Sequence, residues 1–415
     1  MKKTIILFFC FALSCSLRAE TKAENQNKLP VLTLEEALQK AVTSNKSFLA
    51  LKKQKEISDS KIRLAKQSPV PEISLGVEDI AGSGEYKNTS SMKSSIALKK
   101  TFETGGKKAK RINAAKTSKD IEDLKIQIAE KELKLKVVDS FFKIYRLSKD
   151  LKLHEEAISI ASQTADRVNK KVLAGELASI DATRAYVEFT KAKTEKRQLE
   201  LDLYSAKNEL AMLWNTDSLD FNDIEINTKY FTEEKYLSPS EININDIPEI
   251  AIGKASIKEA KTNEKIARAE KNPNVDLSLA YSKYKATSDH ALELEASFPL
   301  VGHSWVENAK AAKTNLEAVE LEAKGDSSEF LLRLETAYKN LEILKEEVAS
   351  LESVLLPASK KAFDETQMAF DCGEKSLLDL FDARKALIET TDLHLELQCK
   401  LFKAICEYAI LSNQE

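Results

Sequence analysis

Turn-forming residues are scarce in this chain. Its 415 residues include only 10 glycines and 8 prolines, while 31% are charged. That composition excludes a fold of many short elements and predicts few turns and long helices. Beyond the N-terminus there is no run of the roughly 18 apolar residues that a transmembrane helix needs. The four histidines, His154, His290, His303 and His394, are scattered without metal-ligand spacing. Neither a glycine-rich phosphate loop nor a nucleophile motif occurs, so the expectation is no enzyme, no cofactor and no metal site. Cysteine is sparse too. Cys10 and Cys15 lie in the leader described next, and Cys372, Cys399 and Cys406 form an odd set without CxxC spacing. Cys399 and Cys406 stand seven apart on a predicted helix, roughly 10 Å of rise and too far for a disulfide. All three read as buried apolar thiols.

The first residues read as a targeting segment. Lys2 and Lys3 precede an apolar run, Ile5 to Leu17, and Leu17-Arg18-Ala19 offers a signal peptidase site before Glu20. A lipoprotein signal, Ala12-Leu13-Ser14-Cys15, is the other reading, with Cys15 as the lipidated first residue. Either route takes the protein out of the cytoplasm. Loss of Lys2, Lys3 and Arg18 lowers the 63 basic residues to 60 against 66 acidic ones. That balance argues against nucleic acid as a partner.

What is present is a repeat. Gly175-Glu176-Leu177-Ala178-Ser179-Ile180-Asp181 and Gly373-Glu374-Lys375-Ser376-Leu377-Leu378-Asp379 share Gly-Glu, three residues, Ile or Leu, then Asp. Each lies between long helical patterns, where a glycine in the left-handed region can end one helix and let the next begin. Each therefore reads as the tip of a helical hairpin.

In chain order, residues 20–32 are polar and expected to be disordered. Thr33 with Glu36 forms a capping box opening a helix that runs to about Gln67, before Pro69 and Pro71. Ile73, Leu75 and Val77 alternate with polar residues, and Met92, Ile96 and Leu98 do the same, which predicts a β-hairpin over about 72–100. From Lys107 to about Leu173 there is no Gly or Pro. Ile121, Leu124, Ile128, Lys131, Leu135, Val138, Phe142 and Tyr145 form a heptad seam along a helix roughly 100 Å long. Ser179 to Trp214 returns, closing a helical hairpin over 107–214. Residues 215–247 read as a linker with room for a short strand or helix. The order then repeats over 248–412: a helix from Pro248 to about Lys271, a β-hairpin over about 274–298, and a helical hairpin over 304–412. The seam there is Phe330, Leu334, Ala337, Leu341, Leu344, Val348, Leu351 and Leu355, with Pro357 as a site for a bend. The first repeat spans 33–214.

Each predicted strand has one apolar and one polar face, and little else in the chain can cover the apolar one. An outer-membrane barrel resolves this, with apolar side chains against lipid and polar ones lining a lumen. Four strands cannot close a barrel, and open strand edges are not tolerated in lipid. Three copies would supply twelve strands, and the helices would extend the barrel as a tube. The fold class expected is mainly α with a small β part: tandem long α-helical hairpins plus four transmembrane strands per subunit, assembled as a trimer. A coiled-coil stalk or a periplasmic coiled-coil adaptor is the competing reading.

This order of elements resembles the outer-membrane efflux protein family, the TolC-like channels, over about residues 33–412. Phe102-Glu103-Thr104-Gly105-Gly106-Lys107-Lys108, with Arg111 and Ala114, is similar to a segment of the CzcC-like heavy-metal efflux branch. The resemblance implies a homotrimer in the outer membrane of a diderm bacterium, in contact with lipid. It also implies docking to a periplasmic membrane-fusion adaptor and an inner-membrane pump, most simply of the RND type. Drug efflux and type I secretion use ducts of the same fold. Asp379 and Asp382 match the family's paired aspartates at the periplasmic entrance. Lys375 falls where relatives carry a gating arginine, Asp181 matches its acidic partner, and Phe370 replaces a tyrosine of the gating network. The tip residues Gly175, Glu176, Leu177, Gly373 and Glu374 are the implied adaptor-docking positions.

Overall fold

The computed structural model describes residues 30–216, 218–226, 236–300 and 302–414. The leader, its cleavage site at Ala19 and Cys15 lie outside the described residues, as does all of the polar segment before residue 30. Val31–Thr33 forms a short strand, β1, rather than disordered chain, because it pairs in parallel with β4 (Asp223–Glu225) from the linker.

The first repeat follows. The capping box at Thr33 is present: its hydroxyl accepts from the Glu36 amide at 3.3 Å and Glu36 accepts from the Thr33 amide at 3.0 Å. The helix it opens does not reach Gln67 unbroken. α1 (Leu34–Ser44) ends at Asn45, whose extended backbone starts α2 (Lys46–Ala65). Asn45 Oδ1 accepts from the Phe48 amide at 2.8 Å, while Nδ2 donates to the Leu213 carbonyl at 2.8 Å. Asparagine thus supplies both the cap and a tie to the returning helix. β2 (Glu72–Glu78) and β3 (Lys93–Phe102) come next, then α3 (Lys107–Leu173), 67 residues long, and α4 (Ser179–Met212). The second repeat has α5 (Pro248–Ala269), β5 (Val275–Tyr284), β6 (His290–Ser297), α6 (Ser304–Ser350), α7 (Leu356–Asp371) and α8 (Leu377–Ser412).

The two hairpins join into one antiparallel sheet of order β2-β3-β5-β6. Its register fixes the faces. Ile73, Leu98, Leu279 and Leu294 share one row, and Leu75, Ile96, Tyr281 and Leu292 the next. Among the described residues nothing covers them: Leu75 is 80% exposed and Leu294 79%. The opposite face carries charge. Lys93 pairs with Glu293 at 3.1 Å and Lys99 with Asp276 at 2.9 Å.

The helical part buries three apolar clusters. One, around Val137, Phe141, Leu210, Trp214 and Phe402, joins α1, α3, α4, β4 and α8. A second, around Leu334, Leu341, Ile405 and Tyr408, joins α5, α6 and α8. The third lies near the tips. The α3 seam is buried or half-buried throughout, and Leu133, Val137, Phe141 and Ile144 are buried beside it, so this helix is covered on more than one stripe. In the second repeat the expected seam holds to Leu351, which is half-buried, and fails at Leu355. Leu355 is 46% exposed, because Leu351–Leu355 winds as a π-helical turn between α6 and α7. Pro357 sits just beyond. It has no N–H to donate, and its ring clashes with the carbonyl four residues back, so the helix must loosen there.

Candidate functional site

The two tips are built alike. α3 ends in a left-handed Gly175, φ +80°, and α7 is followed by Gly373, φ +84°. The Glu176 amide donates to Lys171 O at 2.9 Å and the Glu374 amide to Ala369 O at 2.8 Å, closing both helix ends as Schellman turns. No atom lies within 4 Å of where a Cβ would stand at either glycine. Glu176, Glu374 and Lys375 are exposed as well, whereas Leu177 is half-buried and packs against the tip cluster.

That cluster holds the hairpins together. Val168 and Ala185 of the first hairpin meet Phe363, Phe370, Leu377 and Leu380 of the second. Phe370, read from the sequence as a gating position, is 2% exposed within it. Lys171 Nζ lies 5.2 Å from its ring centroid, a cation–π contact between the hairpins. Arg167 joins Asp371 across the same junction at 3.1 Å.

Asp379 is the third residue of a second capping box, a role that the sequence reading missed. Its Oδ2 accepts from the Ser376 amide at 3.0 Å and from the Ser376 hydroxyl at 2.7 Å, and the Asp379 amide donates to Ser376 Oγ at 3.2 Å. The Ser376 hydroxyl first, then its amide, hold the Asp379 carboxyl below the usual carboxylate range. The signal was legible, since Ser-x-x-Asp ahead of an apolar run is a cap pattern. Asp382 is exposed one turn further on.

Asp181 faces Arg184 of its own helix at 3.8 Å. No ion pair joins Asp181 to Lys375 within this chain among the described residues, so the structure does not bring that pair together inside one subunit. Beside Asp382 lies a residue that the sequence did not single out. Arg384 is 9% exposed, with Nη2 3.6 Å from Glu188 of α4 and its guanidinium 5.7 Å from the Phe381 ring. Its Nε and Nη1 are buried without a hydrogen-bond partner among the described residues. Burial lowers the affinity of Arg384 for its proton, against the pull of Glu188 and Glu195. Asp382 and Arg384 line one cleft with His154, Glu188 and Glu195, so α3, α4 and α8 converge beside the tips.

The scattered histidines do not assemble. His154 Nδ1 lies 3.0 Å from the Asp150 carbonyl, Tyr281 stacks on His290, and His394 Nε2 lies 2.9 Å from Glu352. Among the described residues no group of three or more His, Cys, Asp or Glu could hold a metal ion. Cys399 and Cys406 are buried or nearly so, and burial pushes their thiols up to about 11 and about 12. Cys372 departs from the expectation: it caps α7 at the tip and is exposed.

Known proteins share this architecture. The chain is 24% identical over 374 residues to the cobalt-zinc-cadmium resistance protein CzcC of Cupriavidus metallidurans, covering 90% of this chain and 88% of that one. Among solved structures it superposes on CusC with a TM-score of 0.80 at 15% identity, covering 95% of both chains. It superposes on the open state of Neisseria gonorrhoeae MtrE with a TM-score of 0.76 at 18% identity, covering 91% of this chain and 88% of the other. The family model for outer membrane efflux proteins matches residues 37–216 and 244–404. With the tandem hairpins, the sheet and this match in agreement, the chain belongs to the outer membrane efflux protein family.

Proposed function

We propose that this channel works as a homotrimer in the outer membrane and passes heavy-metal cations outward. In this reading it is the exit duct of a tripartite system with a periplasmic membrane-fusion adaptor and an inner-membrane pump of the RND type. The observation that carries the reading is the sheet. Its apolar face is bare, and its two edge strands, β2 and β6, each lack a second partner among the described residues. Three copies joined edge to edge would close twelve strands, leaving neither defect in lipid.

The other face supports a cationic cargo. Glu72, Glu78, Asp276, Glu293 and Glu295 lie on it with only Lys93 and Lys99 of opposite sign. A lumen lined this way draws cations and repels anions. The 24% identity to a protein named for cobalt, zinc and cadmium resistance points the same way.

At the periplasmic end, Asp379 and Asp382 of three subunits would ring the constriction. Asp181 and Lys375 would meet between neighbouring subunits to hold it shut, with Phe370 anchoring the tip. Gly175, Glu176, Gly373 and Glu374, exposed at the turns, would meet the adaptor, and Leu177 would brace them from below. The test is deletion and complementation. Cells lacking the gene should accumulate cobalt, zinc or cadmium and regain tolerance with the intact chain. Purified protein should run as a trimer in native mass measurement, and its single channels should favour cations. Unchanged metal tolerance with altered drug tolerance would move the cargo elsewhere, and a monomer in detergent would end the barrel reading.

A further inference from the structure

The junction between sheet and helices carries more positive charge than its ion pairs among the described residues take up. Elsewhere lysines are laced into ion pairs, for example Lys119 with Asp59 at 2.5 Å and Lys143 with Glu209 at 2.7 Å. Between residues 100 and 111 the chain has Lys100, Lys107, Lys108, Lys110 and Arg111 against a single carboxylate, Glu103. That carboxylate is taken by Arg111, which binds both of its oxygens. Among the described residues the hydrogen bonds of Lys107, Lys108 and Lys110 go only to neutral groups. Lys107 Nζ donates to Asn274 Oδ1 at 2.9 Å, Lys108 Nζ to Ser68 Oγ at 2.9 Å, and Lys110 Nζ to the Gly105 carbonyl. Lys66, at the end of α2, is exposed and adds a further charge. It sits two residues before Ser68, so α2 and α3 bring the two groups of lysines together.

The register sets the depth of this collar. On the bare apolar face, Lys100 lies in the row of Leu277 and Ala296. Phe102 lies one row nearer the helices, opposite Val275. Phe298 follows the Asp276–Ser297 pair at the same level. Phe102 and Phe298 are exposed, so an aromatic rim ends the apolar face where the helices begin. Lys100 leans back over that rim, its Nζ 5.4 Å from the Phe102 ring centroid. A lysine among apolar residues that bends its ammonium towards the edge is the posture of a snorkelling side chain at a bilayer boundary. Lys66, Lys108 and Lys110, none of them in an ion pair among the described residues, lie beyond it on the helix side of the rim.

We infer that Lys66, Lys100, Lys108 and Lys110 form a binding collar for anionic phospholipid headgroups of the inner leaflet. The inference rests on the barrel reading above and goes beyond it, since a barrel needs apolar lipid contact but no headgroup preference. Charge complementarity selects the occupant: unpaired ammonium groups at the phosphate level, edged by aromatic rings, favour a lipid with net negative charge over a zwitterionic one.

The test uses the full chain in detergent, titrated with phosphatidylglycerol or phosphatidylcholine and read by native mass spectrometry. The wild type is expected to retain phosphatidylglycerol preferentially. Replacing Lys66, Lys100, Lys108 and Lys110 together by Gln should weaken phosphatidylglycerol retention on the order of tenfold and leave phosphatidylcholine retention unchanged. The same four replaced by Arg should behave as the wild type. Equal retention of the two lipids by the wild type would overturn the inference, as would full phosphatidylglycerol retention by the Gln variant or loss of it by the Arg variant. Channel conductance in bilayers, measured on the same samples, separates the two levels. Conducting protein without headgroup preference refutes the collar alone, and protein that never conducts refutes the barrel and the collar with it.

Discussion

The open space around Gly373 allows strain and contact to be separated. At φ +84° any L-residue sits in the left-handed region, at a cost of roughly 1–2 kcal/mol. The loss of glycine's freedom in the unfolded chain returns about 0.4–1 kcal/mol. Since no atom lies within 4 Å of the added Cβ, nothing else enters the sum. Gly373→Ala and Gly373→Gln should therefore destabilise the chain equally, by about 1 kcal/mol. Gly105 is the contrast, because its φ of +64° comes with Asn272 Nδ2 2.6 Å from where an added Cβ would stand. Gly105→Ala should add a crowding cost of about 1–3 kcal/mol to the same strain. Urea unfolding followed by helical circular dichroism reads these differences. Metal tolerance in cells, at matched protein level, reads docking. The Ala variant should support efflux and the Gln variant should not, because only the longer side chain intrudes on an adaptor. A Gln variant much less stable than Ala refutes the reading of open space. A Gln variant with full efflux removes this tip from the docking surface.

Replacing Asp379 and Asp382 together by Asn should lower cation selectivity in planar bilayers; unchanged selectivity would show that they do not line the constriction. Ser376→Ala should cost about 1 kcal/mol through the lost cap yet keep selectivity, because the carboxylate remains. The Asp379 carboxyl is held below its ordinary value of 3.8, so its contribution is present at neutral pH and fades as pH falls through the lowered value. The stability gap between the wild type and Ser376→Ala should thus be full at neutral pH and narrow as pH falls through the lowered value; a gap that does not change with pH would show that the cap is absent in solution. Maleimide at neutral pH should label Cys372 and spare Cys399 and Cys406, whose thiols are pushed up to about 11 and about 12; labelling of either buried cysteine in the folded protein would contradict the packing of α8.

Much of this architecture could be read from side-chain periodicity. A two-residue period marked the four strands of the larger sheet, and an absence of Gly and Pro marked α3 from Lys107 to Leu173. What escaped were features set by partners distant in sequence. Asn45 breaks the first helix because its amide reaches Leu213, 168 positions on. β1 exists because residues 223–225 lie beside it, and three residues have no period to detect. The merging of two hairpins into one sheet depends on β3 meeting β5, which no local pattern specifies. At the tips, the repeated Gly-Glu motif located the turns correctly. Polar residues there have both local and distant partners, so Asp379 proved to cap its own helix, and Arg384 gave no sequence signal because arginine is ordinarily exposed.

The π-helical turn at Leu351–Leu355 carries a consequence for how the second hairpin keeps phase. Counting in sevens from Phe330 and Leu334 through Leu341 and Val348 would bring Ala362 and Ala369 to the inner side of α7. The buried residues are instead Phe363 and Phe370, each one place later. A turn that holds one extra residue rotates everything beyond it by about 100° relative to the uninterrupted count. The shaft and the tip of this hairpin are therefore written in two reading frames, and the wide turn is the splice between them. Winding the same residues there as plain α-helix would leave the shaft intact, yet turn two alanines inward and two phenylalanines away from the first hairpin.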